Sequence, residues 1–372
     1  MQINFKSILK IIGSPKIFVY TVAWLMFLVV VGTLAQRDQG LYLAQQKYFS
    51  SWFTLLGFLP VPSGRFVMFL MVINLSCYFF RPNIFSKRKV GVTIVHSGVI
   101  MLLVGGGLTG IFSSEGNMVI SEGSTSDFIE DYYLKEFVIV DTSNPHFDEF
   151  LVFEQPLLNP GQILSESSIP FKIEILDFYP NSEPLPRLYK GDEGLKGMAN
   201  NFFLEEKHPE KEYEKNISGI VYRIFDSNSM EDGIYIGYLG QPITQSINVN
   251  QREYLIILRR SRAYVPFEIE LEDFKKIMHP GTNIPKSYSS QVNLIQNNIS
   301  RKVLIQMNEP LRHLGYTFYQ ASFIEDESGE TTVLAAVKNH GRLFPYISTI
   351  IMCIGLLFHM FVMVSERFKL KR

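Results

Sequence analysis

The sequence predicts an integral membrane α-helical protein of four spans that carries a large extracytoplasmic, mainly β, sandwich-like domain. Three observations lead there. Four uncharged apolar runs occur, three before residue 113 and one after residue 342. The stretch between them reads as short β-branched and aromatic runs divided by Gly, Pro, Asn and Asp clusters. The averages, 47% hydrophobic residues with formal net charge −1 and mean hydropathy +0.10, suit neither a soluble globule nor a multi-span transporter. They suit a few membrane helices joined to one water-facing domain. The expected division is a three-helix membrane region over 1–112, a β-rich domain over 113–342, and a C-terminal helix with a basic tail over 343–372.

The first run, Ile17–Ala35, has the length of a helix that crosses hydrocarbon. No small-residue cleavage site follows it, so it is expected to be retained rather than removed as a signal peptide. The second, Phe66–Phe80, is short, and Arg65 and Arg81 at its ends can snorkel to the interfaces. Between these two, "GLYLAQQKYFSSWFTLLGF" sets aromatics beside polar residues, as interfacial helices do. The third run is Val90–Phe112 and contains His96; the fourth is Leu343–Val364 and contains His359.

Lysine and arginine bias sets the orientation. Lys6, Lys10 and Lys16 precede the first run, and Arg81, Lys87, Arg88 and Lys89 separate the second from the third. Arg367, Lys369, Lys371 and Arg372 follow the fourth. With four alternating crossings these clusters share one side. The expectation is a multi-pass protein of the bacterial cytoplasmic membrane, both termini cytoplasmic and the large domain outside.

In that domain, "KEFVIVDT", "PFKIEILDFYP", "GIVYRIFDS", "EYLIILRR", "AYVPFEIELEDF", "RKVLIQMN" and "GYTFYQASF" are the expected strands. The charged, turn-rich stretch Leu185–Lys215 is expected to be a surface excursion or lid. Only two cysteines occur, Cys77 and Cys353, both in apolar runs and without a C-x-x-C or C-x-x-C-H pattern. The chain is therefore neither a thioredoxin-like oxidoreductase nor itself a c-type cytochrome. Its near-neutral charge gives no reason to expect nucleic acid.

A histidine inside a membrane helix is costly and normally faces protein, cofactor or water. His96 shares a helical face with Val99, Ile100, Leu103, Gly107 and Gly110. That stripe becomes flat beyond the imidazole, which suits a porphyrin. Gly106-x-x-x-Gly110 can equally pack a second helix, and both readings stay open. His359 lies at a similar depth, each histidine roughly 8–9 Å from one end of its span at 1.5 Å per residue. The two could ligate one haem iron from opposite sides; the plainer reading of His359 is an amphipathic residue near the interface. His146, His208, His279, His313 and His340 lack metal-ligand spacing and read as surface or structural.

Six segments in order, "GTLAQ", "YFSSWF", "NLSCYFFRP", "HSGVIMLLVGGGLTG", "VPFEIELEDFKKIMHPGTNIPKSYSSQVNL" and "MNEPLRHLGYTFYQASF", make the chain resemble the ResB (CcsB) family of system II cytochrome c biogenesis. The resemblance implies a haem-handling subunit working with a second membrane protein, ResC (CcsA). Together they carry reduced haem b outward, bound transiently, for thioether attachment to apocytochrome c. It implies that His96 is an axial ligand of the haem iron and that the second ligand comes from the partner, with His359 a secondary candidate. The family's usual tyrosine before Pro-Gly stands here as His279. The Trp-rich haem-presenting stretch belongs to the partner, and this chain has only Trp24 and Trp52. The fused form of the machinery is therefore not expected, nor is ligation by this subunit alone. Arg88 and Lys89 could meet haem propionates, although the orientation signal explains them more simply. Two other readings remain: a membrane b-type electron-transfer protein, and a non-catalytic scaffold capturing a secreted partner.

Overall fold

A computed structural model describes residues 5–188, 194–282, 285–326 and 329–370. The chain divides into two compact units. One comprises Met1–Ser114, His313–Tyr316 and Val337–Arg372; the other comprises Glu115–Arg312 and Thr317–Ala336. Lys371 and Arg372 of the expected basic tail lie outside the described residues.

The first unit is helical: α1 (Phe5–Ile12), α2 (Pro15–Gln39), α3 (Leu41–Gln45), α4 (Gly64–Ser76), α5 (Val90–Phe112) and α6 (Phe344–Leu370). Three of these, α2, α5 and α6, are long and apolar enough to cross a membrane. α2 starts where Ser14 caps the Lys16 N–H and Pro15 fills the first position. It stops at Gly40, whose φ of 81° suits glycine.

The second apolar run is helical where expected but shorter than the other three. It forms only the thirteen residues of α4 and a 3₁₀ turn, Cys77–Phe80. Upstream, the expected interfacial helix is replaced. α3 passes into a single π turn, Gln46–Ser50, and then a two-stranded hairpin, Phe53–Leu56 with Leu59–Pro62. These pieces return along α2. A Cβ on Gly32 would lie 2.8 Å from the Phe49 ring, and one on Gly64 would lie 3.1 Å from Phe49 Cα. Trp24 Nε1 donates to Pro62 O at 2.8 Å. Asn74, near the end of α4, donates to the carbonyls of Ile12 and Ser14. Both helical pieces, α3 and α4, pack against α2. They form a helix broken in its middle, with the hairpin inserted at the break.

α5 and α6 pack through a seam of small residues. A Cβ on Gly91 would lie 2.7 Å from His359 N and 2.8 Å from Gly355 O. One on Gly98 would lie 2.6 Å from Met352 Cγ, and one on Gly105 would overlap Phe344. Glycines seven apart keep the seam on one side and let the backbones approach closely.

The second unit is a two-sheet sandwich. A ten-stranded sheet has the spatial order 299–306, 285–296, 252–278, 125–141, 114–121, 329–338, 316–326, 311–313, with 245–249 and 149–154 added on strands 252–278 and 125–141. A four-stranded sheet runs 233–238, 219–225, 172–179, 163–164. One core joins them: Phe137, Ile139, Tyr254 and Ile256 from the large sheet meet Ile173, Ile175, Tyr222 and Tyr235 from the small one. Each of the seven expected runs has a strand as its body, five of them overhanging it by one to three residues. "EYLIILRR" and "AYVPFEIELEDF" join as one 27-residue strand, Arg252–Met278, because irregular pairing at Arg260–Arg262 absorbs the change of register.

The described part of Leu185–Lys215 is packed rather than free. Phe202–Glu206 pairs with Ser182–Pro186, and Ala199 and Leu204 sit with Ile236 on the outer face of the small sheet. Residues 189–193 of that stretch lie outside the described residues.

Candidate functional site

His96 lies one turn and a half into α5 and is half-buried. Its Nδ1 is 2.8 Å from Val92 O, one turn back. A carbonyl only accepts, so Nδ1 carries the hydrogen. In the neutral imidazole, Nε2 then holds the lone pair and points away from its own helix. Such a contact to the far ring nitrogen is the usual one for an iron- or zinc-binding imidazole, since it sets tautomer and ring orientation.

The ring is further held by Tyr78, stacked on it at 4.2 Å between centroids and 21° between planes. Tyr78 is presented from the 3₁₀ turn that follows α4. Tyr78 OH lies 3.3 Å from Thr93 Oγ1, and Thr93 donates to Ile84 O at 2.7 Å, so the loop before α5 is fastened too. The Arg81 guanidinium lies 5.6 Å from the Tyr78 ring centroid and donates to Gly13 O.

These groups surround a cavity of about 280 Å³ whose walls include Phe18, Asn74, Tyr78, Arg81, His96 and Val99. The surface is mainly apolar, with one cation and one open ring nitrogen. That donor set fits a haem edge: apolar ring, axial imidazole, and a guanidinium for a propionate. The cavity does not enclose a whole macrocycle. Beyond it on the same helical face, Cβ atoms built on Gly107 and Gly110 would meet nothing within 4 Å. The flat stripe expected from the sequence is therefore open in this chain.

His359 is elsewhere. Its backbone meets α5 at Gly91, five residues from His96 and about 140° around the helix at 100° per residue. Gly98, also in the seam, is about 200° from His96. The two histidines are thus not brought together, and His359 Nδ1 is buried without a hydrogen-bond partner. Arg88 is held by Glu366 at 2.6 Å, away from the cavity. Among the described residues no group of three His, Cys, Asp or Glu side chains could hold a metal ion. Cys77 and Cys353 are free thiols.

Two residues of this site carried no site role in the sequence reading, Tyr78 and Arg81. Both belong to "NLSCYFFRP", and Arg81 was expected only to mark the end of a span. An arginine directly after three aromatics, closing an apolar run, was the available signal; its partner, the Gly13 carbonyl, was not.

Comparison with known proteins bears on this geometry. A model of the ResB-like family matches residues 86–153 and 248–341. The first segment contains His96 and starts after Tyr78 and Arg81. Protein NrfI of Wolinella succinogenes is 24% identical over 295 residues, covering 78% of this chain and 29% of that protein. The chain thus spans less than a third of the length of that relative.

Proposed function

From the premise that this chain belongs to the ResB-like family, we propose that it is the haem-handling subunit of a system II cytochrome c assembly complex. The observation that carries the reading is the setting of His96: Nδ1 tied to Val92 O, the ring stacked on Tyr78, and Nε2 left for a ligand. Bound there, haem b would supply the iron-centred redox group that cytochrome c assembly attaches to protein. The chain's own residues do the rest. Val92 O fixes the tautomer, Tyr78 fixes the ring plane, Arg81 offers a cation for a propionate, and the open glycines leave room for the macrocycle to slide along α5.

In this reading the broken helix formed by α3 and α4 acts as the second of four spans. The basic loop from Arg81 to Lys89 faces the cytoplasm, as do both ends of the chain, and the β unit stands outside a bacterial cytoplasmic membrane. The second iron ligand comes from a partner of the ResC (CcsA) kind rather than from His359, which lies across α5. The β unit is left to contact that partner and apocytochrome c.

The test is His96→Gly in the assembled complex. Removing a group that only orients a metal ligand typically costs about 10–100-fold, so removing the ligand itself should lower co-purifying haem by more than about 100-fold. Added imidazole should restore it, because the small ligand fills the vacated space. Absorption spectra in the Soret region read both effects, and wild-type haem in the variant would refute the assignment.

A further inference from the structure

The break in the second apolar helix sits where a membrane protein can least tolerate it. Trp24 and Gly32, which touch Pro62 and Phe49, both belong to the apolar run of α2. The base of the hairpin is therefore at hydrocarbon depth. Among the described residues its two strands pair only with each other. Leu59–Pro62 lacks two N–H groups through Pro60 and Pro62, but Phe53–Leu56 keeps donors along its outer edge. Open strand edges and irregular backbone do not face lipid in the hydrocarbon region; they occur there only against protein or water. Yet Phe53, Leu55, Phe58 and Leu59 are exposed at 56–87% in this chain.

Arg65 sharpens the point. It is exposed in the first turn of α4, and among the described residues it makes no hydrogen bond or ion pair. It lies nine residues before Asn74, which marks the Ile12–Ser14 end of α2, so about 13 Å separates it from that end. Its Cβ tilts toward the start of α4, hence away from the nearer interface. A guanidinium at a helix start also adds to the positive end of the helix dipole. An intramembrane cation of this kind calls for an anion. No Asp or Glu lies in the apolar part of any membrane helix here: Asp38 and Glu366 are the nearest, and both are at helix ends. A second copy of the chain therefore brings no carboxylate to Arg65.

We propose that the hairpin and Arg65 form an intramembrane docking face for a different membrane protein, one that presents an apolar helix with an Asp or Glu at mid-membrane depth. The partner covers the open strand edge and pairs the guanidinium. This rests on the geometry of the break and stands whether or not His96 binds haem.

A photo-crosslinking residue placed at Phe58 in the full chain, irradiated in native membranes, tests it, with Ile354 of α6 as a lipid-facing control. The expected result is one protein adduct from position 58 and none from 354, mapping to a transmembrane helix with an acid in its apolar run. Arg65→Gln should abolish the adduct while the chain remains in the membrane at normal abundance. Arg65→Glu should do the same, and exchanging the partner's acid for arginine should restore it. Adducts with lipid alone, with a differently tagged copy of this chain, or with a helix lacking an acid would overturn the proposal. So would an adduct that survives Arg65→Gln.

Discussion

α5 has two glycine-bearing faces, and they do opposite things. On one, Gly91, Gly98 and Gly105 are closed by α6 so tightly that a Cβ at any of them would overlap a neighbour. On the other, Gly107 and Gly110 meet nothing, and His96 stands on that side with Tyr78 stacked against it. The residue type is the same, but one set removes side chains so that a helix fits, and the other leaves a bare surface. A glycine stripe therefore says only that something comes close. Which face is filled from within the chain, and which waits for something else, is decided by the neighbours.

The most direct way to break this comparison is to fill each face in turn. Gly98→Leu should push Met352 and Ser348 away and cost about 1–3 kcal/mol, as overpacking does. The check is membrane abundance and thermal stability. Gly107→Leu should leave both unchanged and instead reduce bound haem. If Gly107→Leu proves as damaging to folding as Gly98→Leu, the two faces are not distinct.

Arg81→Gln keeps a donor for Gly13 O but removes the charge. With charged hydrogen bonds near 1.5–3 kcal/mol, haem retention should fall about tenfold or more. Titrating the complex with haem and with its dimethyl ester separates the two roles of Arg81: the variant should lose affinity only for the free acid. Tyr78→Leu removes a stacked pair of about 0.5–1.5 kcal/mol and should weaken haem by about 2–10-fold, with a broadened axial-ligand signature in electron paramagnetic resonance.

His359→Ala is the mildest expected change. His359 sits in the closed seam and its ring nitrogen is unsatisfied, so the haem spectrum should keep its coordination state and haem content should stay within about twofold of wild type. A shift from six- to five-coordinate haem in that variant would bring the two faces together and revive the in-chain pair.

Much of this architecture is legible from periodicity. α2, α5 and α6 announce themselves as long apolar runs, and the strands as β-branched and aromatic runs. The second span is not legible in that way. Its apolar stretch is visible from Phe66, but the preceding half, Leu41–Ser50, buries Ala44 and Tyr48 and exposes Gln45, Gln46 and Lys47, so it imitates an interfacial helix. The hairpin between them is hidden by its composition, since "FTLLGFLPVP" is as apolar as a span. At the site, His96 is readable because a membrane imidazole is rare. Tyr78 and Arg81 are not, since their role depends on what they meet across the fold: Tyr78 the His96 ring on α5, and Arg81 the Gly13 carbonyl before α2. Depth misleads for His359: counting residues gives its distance from a helix end, while Gly91 and Gly355 set the stagger between the helices.

The ten-stranded sheet has one further consequence, for the order of assembly. Strand Ser114–Ser121 lies between Thr125–Asp141 and Gly329–Lys338, and Ser121 Oγ reaches Thr331 Oγ1 at 3.0 Å across 210 positions. During synthesis the first strand emerges early, and its outer neighbour appears only after the intervening chain has been made and moved. Such distant pairing is slow, and until it forms the early strand keeps an unpaired edge exposed to mispairing. The sheet is thus a late-closing structure. Its completion falls to the residues made just before α6, so the last membrane helix is synthesised as the sheet receives its missing strand.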